Sequence, residues 1–451
     1  MSGAPPGVSS RLRLAGTPAS WALVVVIGIH VTLGVSLVIL KPPWEAPDEI
    51  DHVRNVQSIA AGDLYEMEAG SGLEANQPPL YYALLAGWQR AFGQSAITPK
   101  PTPDRECRFL GFAGFSPKCW IWRHDTPEDD RDRRLLLLLR LPGVALSAAL
   151  VAVTAATARR ISSDPWTPVL AAAFVAFVPR LPFVAAGVTN DVLINALGGI
   201  GTYFAVSAVT RCDTKQAPTL VTTIGLGAVA AGLLLTKLTG VLLIPAFVVA
   251  VALSARTRRE ALRITAIFAA VALALSSAWL AYNISRHGDP LALAATEDYI
   301  RHEHPLDFAN LPPAPERAFV LIPKELWSGF WYQHQQFTWS RLTYLPFWAL
   351  TLVGMGGLFR RGRRPHRDLR WQTLLVLGLL VLGGLATLWV IGLRTNAAQA
   401  RVVYTALPAL GCLVALGYER LPLPTWPRFA LPALGLAATC IALVNDVVSV
   451  S

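Results

Sequence analysis

The groups best suited to chemistry stand together in Trp44-Glu45-Ala46-Pro47-Asp48-Glu49-Ile50-Asp51-His52. This acidic stretch follows closely on Leu23–Leu40, an apolar run long enough to cross a bilayer. Asp48 and Glu49 are therefore expected near headgroup level, on the side opposite the N-terminus. A carboxylate at that depth can take a proton from an acceptor hydroxyl. The plainer reading is a solvated loop on the outer face, where basic residues are scarce. Asp48 to His52 also has the spacing of a zinc-protease motif, but Asp replaces the first His and Pro47 precedes it. The cofactor reading left open is a divalent ion held by Asp48, Asp51 and His52; no other cofactor is implied.

Five cations stand where a membrane protein should have few, at the outer ends of apolar runs: Arg140, Arg180, Lys237, Arg394 and Arg401. Arg180 lies within an apolar run, between Pro179 and Leu181-Pro182. A charge at mid-span costs about 2.5–3.5 kcal/mol on insertion scales, so it needs a partner or a task. Asp191, at the start of the next run, is the expected structural partner for Arg180. Taken together, cations beside an acidic loop suit an anionic headgroup. A sugar on a polyprenyl phosphate departs from a group that is already a stable anion. One carboxylate base and cations on the phosphate would then be sufficient. A glycosidase needs two carboxylates, because it must also protonate a poor leaving group.

The elements that must position these groups are membrane spans. Of 451 residues 53% are hydrophobic and only 15% charged, which predicts an all-α polytopic membrane protein. About eleven transmembrane helices are expected: Leu23–Leu40, Leu141–Ala158, Pro168–Val188, Val192–Val209, Leu220–Leu235, Val241–Leu253, Thr265–Ile284, Tyr344–Phe359, Leu374–Ile391, Val402–Leu416 and Phe429–Val444. The net charge of +10 comes from Arg clusters between these runs, as the positive-inside rule requires, and excludes a nucleic-acid partner. Residues 1–20 read as a cytoplasmic disordered tail and 21–451 as one membrane unit. Two long extracytoplasmic loops, 41–139 and 285–341, interrupt that unit. Within the first, Tyr81–Phe92 is apolar but too short to span and is expected to lie at the interface. The aromatic stretch from Trp327 to Trp339 in the second loop has the same expectation. Cys107 and Cys119 share the first loop and are expected to form a disulfide. The first span reads as a retained anchor in a bacterial cytoplasmic membrane.

Five segments carry a family resemblance: Pro47-Asp48-Glu49 with His52, Gln77-Pro78-Pro79-Leu80-Tyr81-Tyr82, Thr189-Asn190-Asp191, Lys237-Leu238-Thr239-Gly240, and Gln399-Ala400-Arg401-Val402-Val403-Tyr404 followed by Pro408. In type and order they resemble the GT-C superfamily of membrane glycosyltransferases, which includes protein O-mannosyltransferases and lipid A aminoarabinose transferases. The chain departs from that pattern at Gln77, where His is usual, and at Ala400-Arg401-Val402, where Gly-Arg-Tyr is usual. The resemblance implies a polyprenyl-phosphate-sugar donor, a glycan, lipid or protein acceptor, surrounding membrane lipids, and inversion at the anomeric carbon. By it Asp48 is the base, Glu49 orients the acceptor or a helper cation, and Lys237 and Arg401 hold the carrier phosphate. Arg140 and Arg394 are further cations for that phosphate. His52, Gln77, Tyr81, Asn190, Asp191 and Tyr404 complete the expected substrate-binding set. The competing classes are a lipid or glycan transporter or flippase, and a non-catalytic partner in envelope assembly.

Overall fold

The computed structural model describes residues 17–41, 43–44, 46, 48–64, 66–67, 74–93, 127–178, 180–211, 220–303, 305–308, 311–329, 345–360, 371–395, 399–422, 424, 433 and 436–437. Among the described residues the regular elements are helices. In order they are α1 (Pro18–Leu40), α2 (Glu49–Ala61), α3 (Leu80–Ala91), α4 (Pro127–Ile161), α5 (Thr167–Ala176), α6 (Arg180–Ala185), α7 (Asp191–Arg211), α8 (Leu220–Thr236), α9 (Ile244–Ser254), α10 (Arg258–His287), α11 (Leu293–Glu303), α12 (Pro305–Phe308), α13 (Ala314–Glu316), α14 (Ile322–Gly329), α15 (Leu345–Leu358), α16 (Trp371–Arg394) and α17 (Leu407–Glu419). Two 3-10 segments, Leu238–Leu243 and Ala400–Ala406, lead directly into α9 and α17.

Among the described residues six segments are long and apolar enough to cross a membrane: Pro18–Leu40, Asp130–Ile161, Asp191–Thr210, Arg258–His287, Trp371–Arg394 and Ala400–Glu419. Local chemistry sets several of their ends. Thr17 caps α1 by accepting a hydrogen bond from the Ser20 amide at 3.3 Å, with Pro18 in the first turn. Thr257 caps α10 in the same way for Glu260, and Gly288 at φ 71° ends that helix. The core is centred on α5, all of whose residues are buried, with α1, α4 and α17 packed around it. Small residues permit close crossings. A Cβ on Gly198 of α7 would fall 2.3 Å from the Thr405 carbonyl oxygen, so α7 and the Ala400–Ala406 segment touch backbone to backbone.

The structure differs from the sequence reading in two of the expected spans. Pro168–Val188 is not one span but two helices, α5 and α6. Helix α5 ends at Ala176, and the connection to α6 carries Pro179, which has no N–H to continue a ladder. The span expected at Leu141 is the later part of a 35-residue helix that begins at Pro127, so Arg140 is a helical residue and not a loop end. The Tyr81–Phe92 segment is helical, as α3. It packs against α2, α4 and α8, and Tyr81 and Tyr82 are buried. Cys107, Cys119 and most of the last expected span, Phe429–Val444, lie outside the described residues. So does most of the aromatic stretch Trp327–Trp339.

Candidate active site

The loop after α1 is held by a buried ion pair. Arg140 donates to Glu49 through Nε at 2.8 Å and Nη2 at 2.7 Å, and neither side chain is exposed. The rest of the guanidinium caps the end of α1, donating from Nη1 to the carbonyls of Lys41 at 2.8 Å and Val38 at 3.3 Å. Glu49 also accepts from the amides of Trp44 at 3.1 Å and Val188 at 3.0 Å. Burial alone would push the Glu49 carboxyl up. The Arg140 charge and hydrogen bonds, with Lys41, overcome it and hold the group below its usual range. One carboxylate thus ties together α1, α4, the acidic loop and the segment between α6 and α7. Gly187 lies in that segment, where a Cβ would sit 2.7 Å from the Ala46 Cβ and 3.3 Å from Lys41 Nζ.

This pinning places Asp48 at the mouth of the site. Its backbone is left-handed, φ 60°, as is that of Trp44, φ 69°. Asp tolerates this conformation better than most residues, yet it remains a strained one. The Asp48 side chain makes no cap to α2 and reaches Arg401 Nη2 at 3.3 Å. Arg401 Nε lies 3.3 Å from Asp191 Oδ2, and Lys237 Nζ lies 2.7 Å from Asp191 Oδ1. Lys237 also donates to Asn190 Oδ1 at 3.4 Å, and Asn190 Nδ2 donates to Gln77 Oε1 at 3.0 Å. Carboxylate and cation therefore alternate from Asp48 through Arg401 and Asp191 to Lys237. Asp48 is the most accessible of the four: its side chain is 27% exposed, against 11% for Arg401, 4% for Asp191 and 16% for Lys237.

Turns at helix starts present the cations. Lys237 is the residue before the Leu238–Leu243 segment, and Arg401 lies in the first turn of Ala400–Ala406. The chain is extended at Lys237 and at Gln399, just ahead of Arg401, before each tight turn begins. Helix α2 brings His52 within reach of these charges, and α3 packs against α2. His52 Nδ1 shares a hydrogen bond with the Tyr82 hydroxyl at 2.9 Å, and burial lowers His52 to about 4. The Tyr81 hydroxyl accepts from the Thr189 amide at 2.9 Å. Tyr404 is buried in the segment that carries Arg401.

The expected site residues do not all come together. Asp48, Lys237, Arg401, Asp191, Asn190 and Gln77 form one connected network, with His52, Tyr81 and Tyr404 built into the elements around it. Glu49 and Arg140 bind each other instead, beneath the network. Arg180 does not take Asp191 as its partner: it donates to Gln399 Oε1 at 3.3 Å, while Asp191 is held by Lys237 and Arg401. Arg394 lies apart on the surface, 3.7 Å from Glu297 and 69% exposed. The divalent-ion reading finds no assembled donor set, because Asp51 pairs with Arg54 at 3.0 Å and His52 turns to Tyr82. Among the described residues no group of three His, Cys, Asp or Glu side chains comes together to hold a metal. Glu74, in the turn before α3, feels the charges of Asp48, Lys237, Arg401 and Asp191. Its sole signal in the sequence is its place three residues ahead of Gln77-Pro78-Pro79.

Beside the network lies a cavity of about 430 Å³. Gln77 and Lys237 stand on its wall with mostly apolar neighbours, including Leu234, Leu238, Trp279 and Ile391, while Arg394 and Glu297 also border it.

Long apolar helices around a charged network mark an integral membrane protein in which that network borders a largely apolar cavity. The fold has solved counterparts. It is similar to ArnT from Cupriavidus metallidurans bound to undecaprenyl phosphate, with a TM-score of 0.59 at 15% identity over 96% of this chain and 78% of that one. The apo state of ArnT gives 0.57 over the same shares. The apo oligosaccharyltransferase of Archaeoglobus fulgidus gives 0.50 at 14% identity, covering 95% of this chain and 56% of that one. Neither a protein-family model nor a curated protein matches the sequence.

Proposed function

We propose that this protein is an inverting membrane glycosyltransferase that takes its sugar from a polyprenyl-phosphate carrier. The observation that carries the proposal is the position of Arg401 and Lys237. Both are bound to Asp191, one also holds Asp48, and the other lines the apolar cavity. A base, two cations and an apolar chamber meet at one place. The undecaprenyl phosphate in the ArnT complex of the same fold supports a carrier of this class.

In this reading the acceptor hydroxyl approaches Asp48 at the open side of the network. The acceptor oxygen bonds to the anomeric carbon as the bond from that carbon to the phosphate oxygen breaks. The bonding pair leaves with the phosphate, and the acceptor proton passes to Asp48. Arg401 and Lys237 carry the charge that gathers on the departing phosphate, and Asp191 fixes the spacing of the two cations. Glu49 and Arg140 act from below by holding the Asp48 loop in its strained turn, a positioning role. The acceptor is a glycan, lipid or protein, and the site faces the extracytoplasmic side of the cytoplasmic membrane. The test uses purified protein and an undecaprenyl-phosphate-linked sugar. Sugar transfer, with release of free undecaprenyl phosphate that Asp48→Asn slows by about 10²–10⁴, is the expected result. No turnover by the wild type across a panel of lipid-linked sugars and acceptors would overturn the reading.

A further inference from the structure

Asn195 lies one helical turn beyond Asp191 on α7 and is 2% exposed. Among the described residues neither its Oδ1 nor its Nδ2 has a hydrogen-bond partner. Contacts on both sides fix where it faces. One turn back, Asp191 meets Arg401 Nε at 3.3 Å. One turn on, Gly198 lies so close to the Thr405 carbonyl oxygen that a Cβ would fall 2.3 Å from it. Positions 191, 195 and 198 share one stripe of a helix, so Asn195 faces the Ala400–Ala406 segment that carries Arg401. An amide buried there with both ends unpaired costs stability, where an apolar side chain of the same branching would not.

Asp191 gives the amide a task. Its Oδ1 holds Lys237 at 2.7 Å, but its Oδ2 makes no hydrogen bond and relies on the Arg401 charge at 3.3 Å. Arg401 is the looser of the two cations, and it is shared with Asp48, also at 3.3 Å. A phosphate that enters the site competes for it, since a guanidinium pairs with phosphate through two parallel hydrogen bonds. Once Arg401 turns to the phosphate, Asp191 Oδ2 is left buried without its cation. Residues four apart on a helix have Cβ atoms about 5–6 Å apart, and side chains lean toward the N-terminus. The free amide of Asn195 therefore leans toward the carboxylate that Arg401 gives up.

We propose that Asn195 is a positioning residue of the site: its Nδ2 takes over Asp191 Oδ2 when Arg401 turns to a headgroup phosphate, and so favours the loaded state. The inference rests on the glycosyltransferase reading, which assigns that phosphate to Lys237 and Arg401. Losing a hydrogen bond to a charged group in the loaded state alone should weaken phosphate binding by about ten- to a hundred-fold.

The experiment uses the full chain in nanodiscs, with undecaprenyl phosphate as the probe and Asn195→Leu as the variant. Without lipid, the variant should melt at or above the wild-type temperature, yet it should bind the probe more weakly by about that factor. In an Arg401→Ala background Asp191 has already lost its cation, and Asn195 should hold it in the empty protein. There Asn195→Leu should lower the melting temperature, a reversal that a purely structural role would not produce. Wild-type affinity in Asn195→Leu, or a melting shift of the same sign in both backgrounds, would overturn the inference and leave the glycosyltransferase reading standing. No binding by the wild type would overturn both. If Asn195→Leu does not fold, Asn195→Ala replaces it: weaker binding and a larger melting loss in Arg401→Ala than in the wild type support the assignment, and equal losses overturn it.

Discussion

Arg140 and Glu49 meet through two hydrogen bonds of 2.8 and 2.7 Å at a point where neither is exposed. Breaking such a pair strands a charge in the interior, which typically costs about 3–5 kcal/mol. Arg140→Ala and Glu49→Gln should each lower thermal stability in detergent and impair any activity along with it. A Glu49→Leu, Arg140→Met double variant should recover much of the loss. If the single variants unfold at the wild-type temperature, the pair does not hold the loop.

Asp48→Asn should behave in the opposite way. Its side chain is partly exposed and its partner Arg401 keeps Asp191, so the melting temperature should stay close to wild type. Turnover should drop by about 10²–10⁴, the usual contribution of a general base. Near-normal transfer would exclude Asp48 as the base.

Arg401→Ala and Lys237→Ala should weaken undecaprenyl phosphate binding and slow transfer together, because the phosphate gains charge as the bond breaks. Arg394→Ala should alter neither, since Arg394 is largely exposed and its ion pair among the described residues is with Glu297. A comparable loss in Arg394→Ala would move the phosphate site to the far wall of the cavity.

His52 makes stability depend on pH. Folded, it is held neutral with its pKa lowered to about 4, against 6.5 for an ordinary imidazole. Between these values the unfolded chain binds a proton that the folded chain refuses, so stability should rise with pH across that window and level off above it. The full effect is on the order of 3 kcal/mol. Melting temperatures from pH 4 to 7.5 should show the rise, and His52→Asn should flatten it; an unchanged slope in the variant would place the titration elsewhere.

Gly187→Ala should damage the site from a distance. Its new methyl would meet Ala46 and Lys41, pushing the acidic loop away from the α6–α7 connection. Overpacking of this kind costs about 1–3 kcal/mol. Turnover should fall further than stability, because Asp48 sits on the displaced loop. Wild-type kinetics in Gly187→Ala would show that the loop has room to yield.

The residues that reach the network were the ones the sequence exposed. Lys237 and Arg401 broke the charge rule for membrane loops, and Asp48, Asn190 and Asp191 stood at the ends of apolar runs. Position along the chain says which groups lie at one level, but not which of them face each other. Closeness in sequence pairs Arg180 with Asp191, yet Arg401 arrives from the far end of the chain and takes that carboxylate. Asp48 stands in a left-handed turn just ahead of the helix that Glu49 opens, so two carboxylates alike in the sequence are separate in space. Glu74 carried no pattern, as a lone acid in a polar turn has no spacing to read. Pro179 and Pro182 mark the division of Pro168–Val188 into two helices, but the apolar residues on both sides of Arg180 read as one run.

Arg401 is separated from Asp48 by 353 residues. At about 5–20 residues per second, a ribosome needs roughly twenty seconds to a minute to make that length of chain. During that interval Asp48 lacks its cation and Asp191 has only Lys237, while the earlier helices have already entered the bilayer. The acidic half of the network is made first, and the last long spans bring the charge that closes it. A chain stalled before residue 401 would present an excess of carboxylate at the membrane surface, a feature by which the cell's quality control could distinguish an unfinished protein from a complete one.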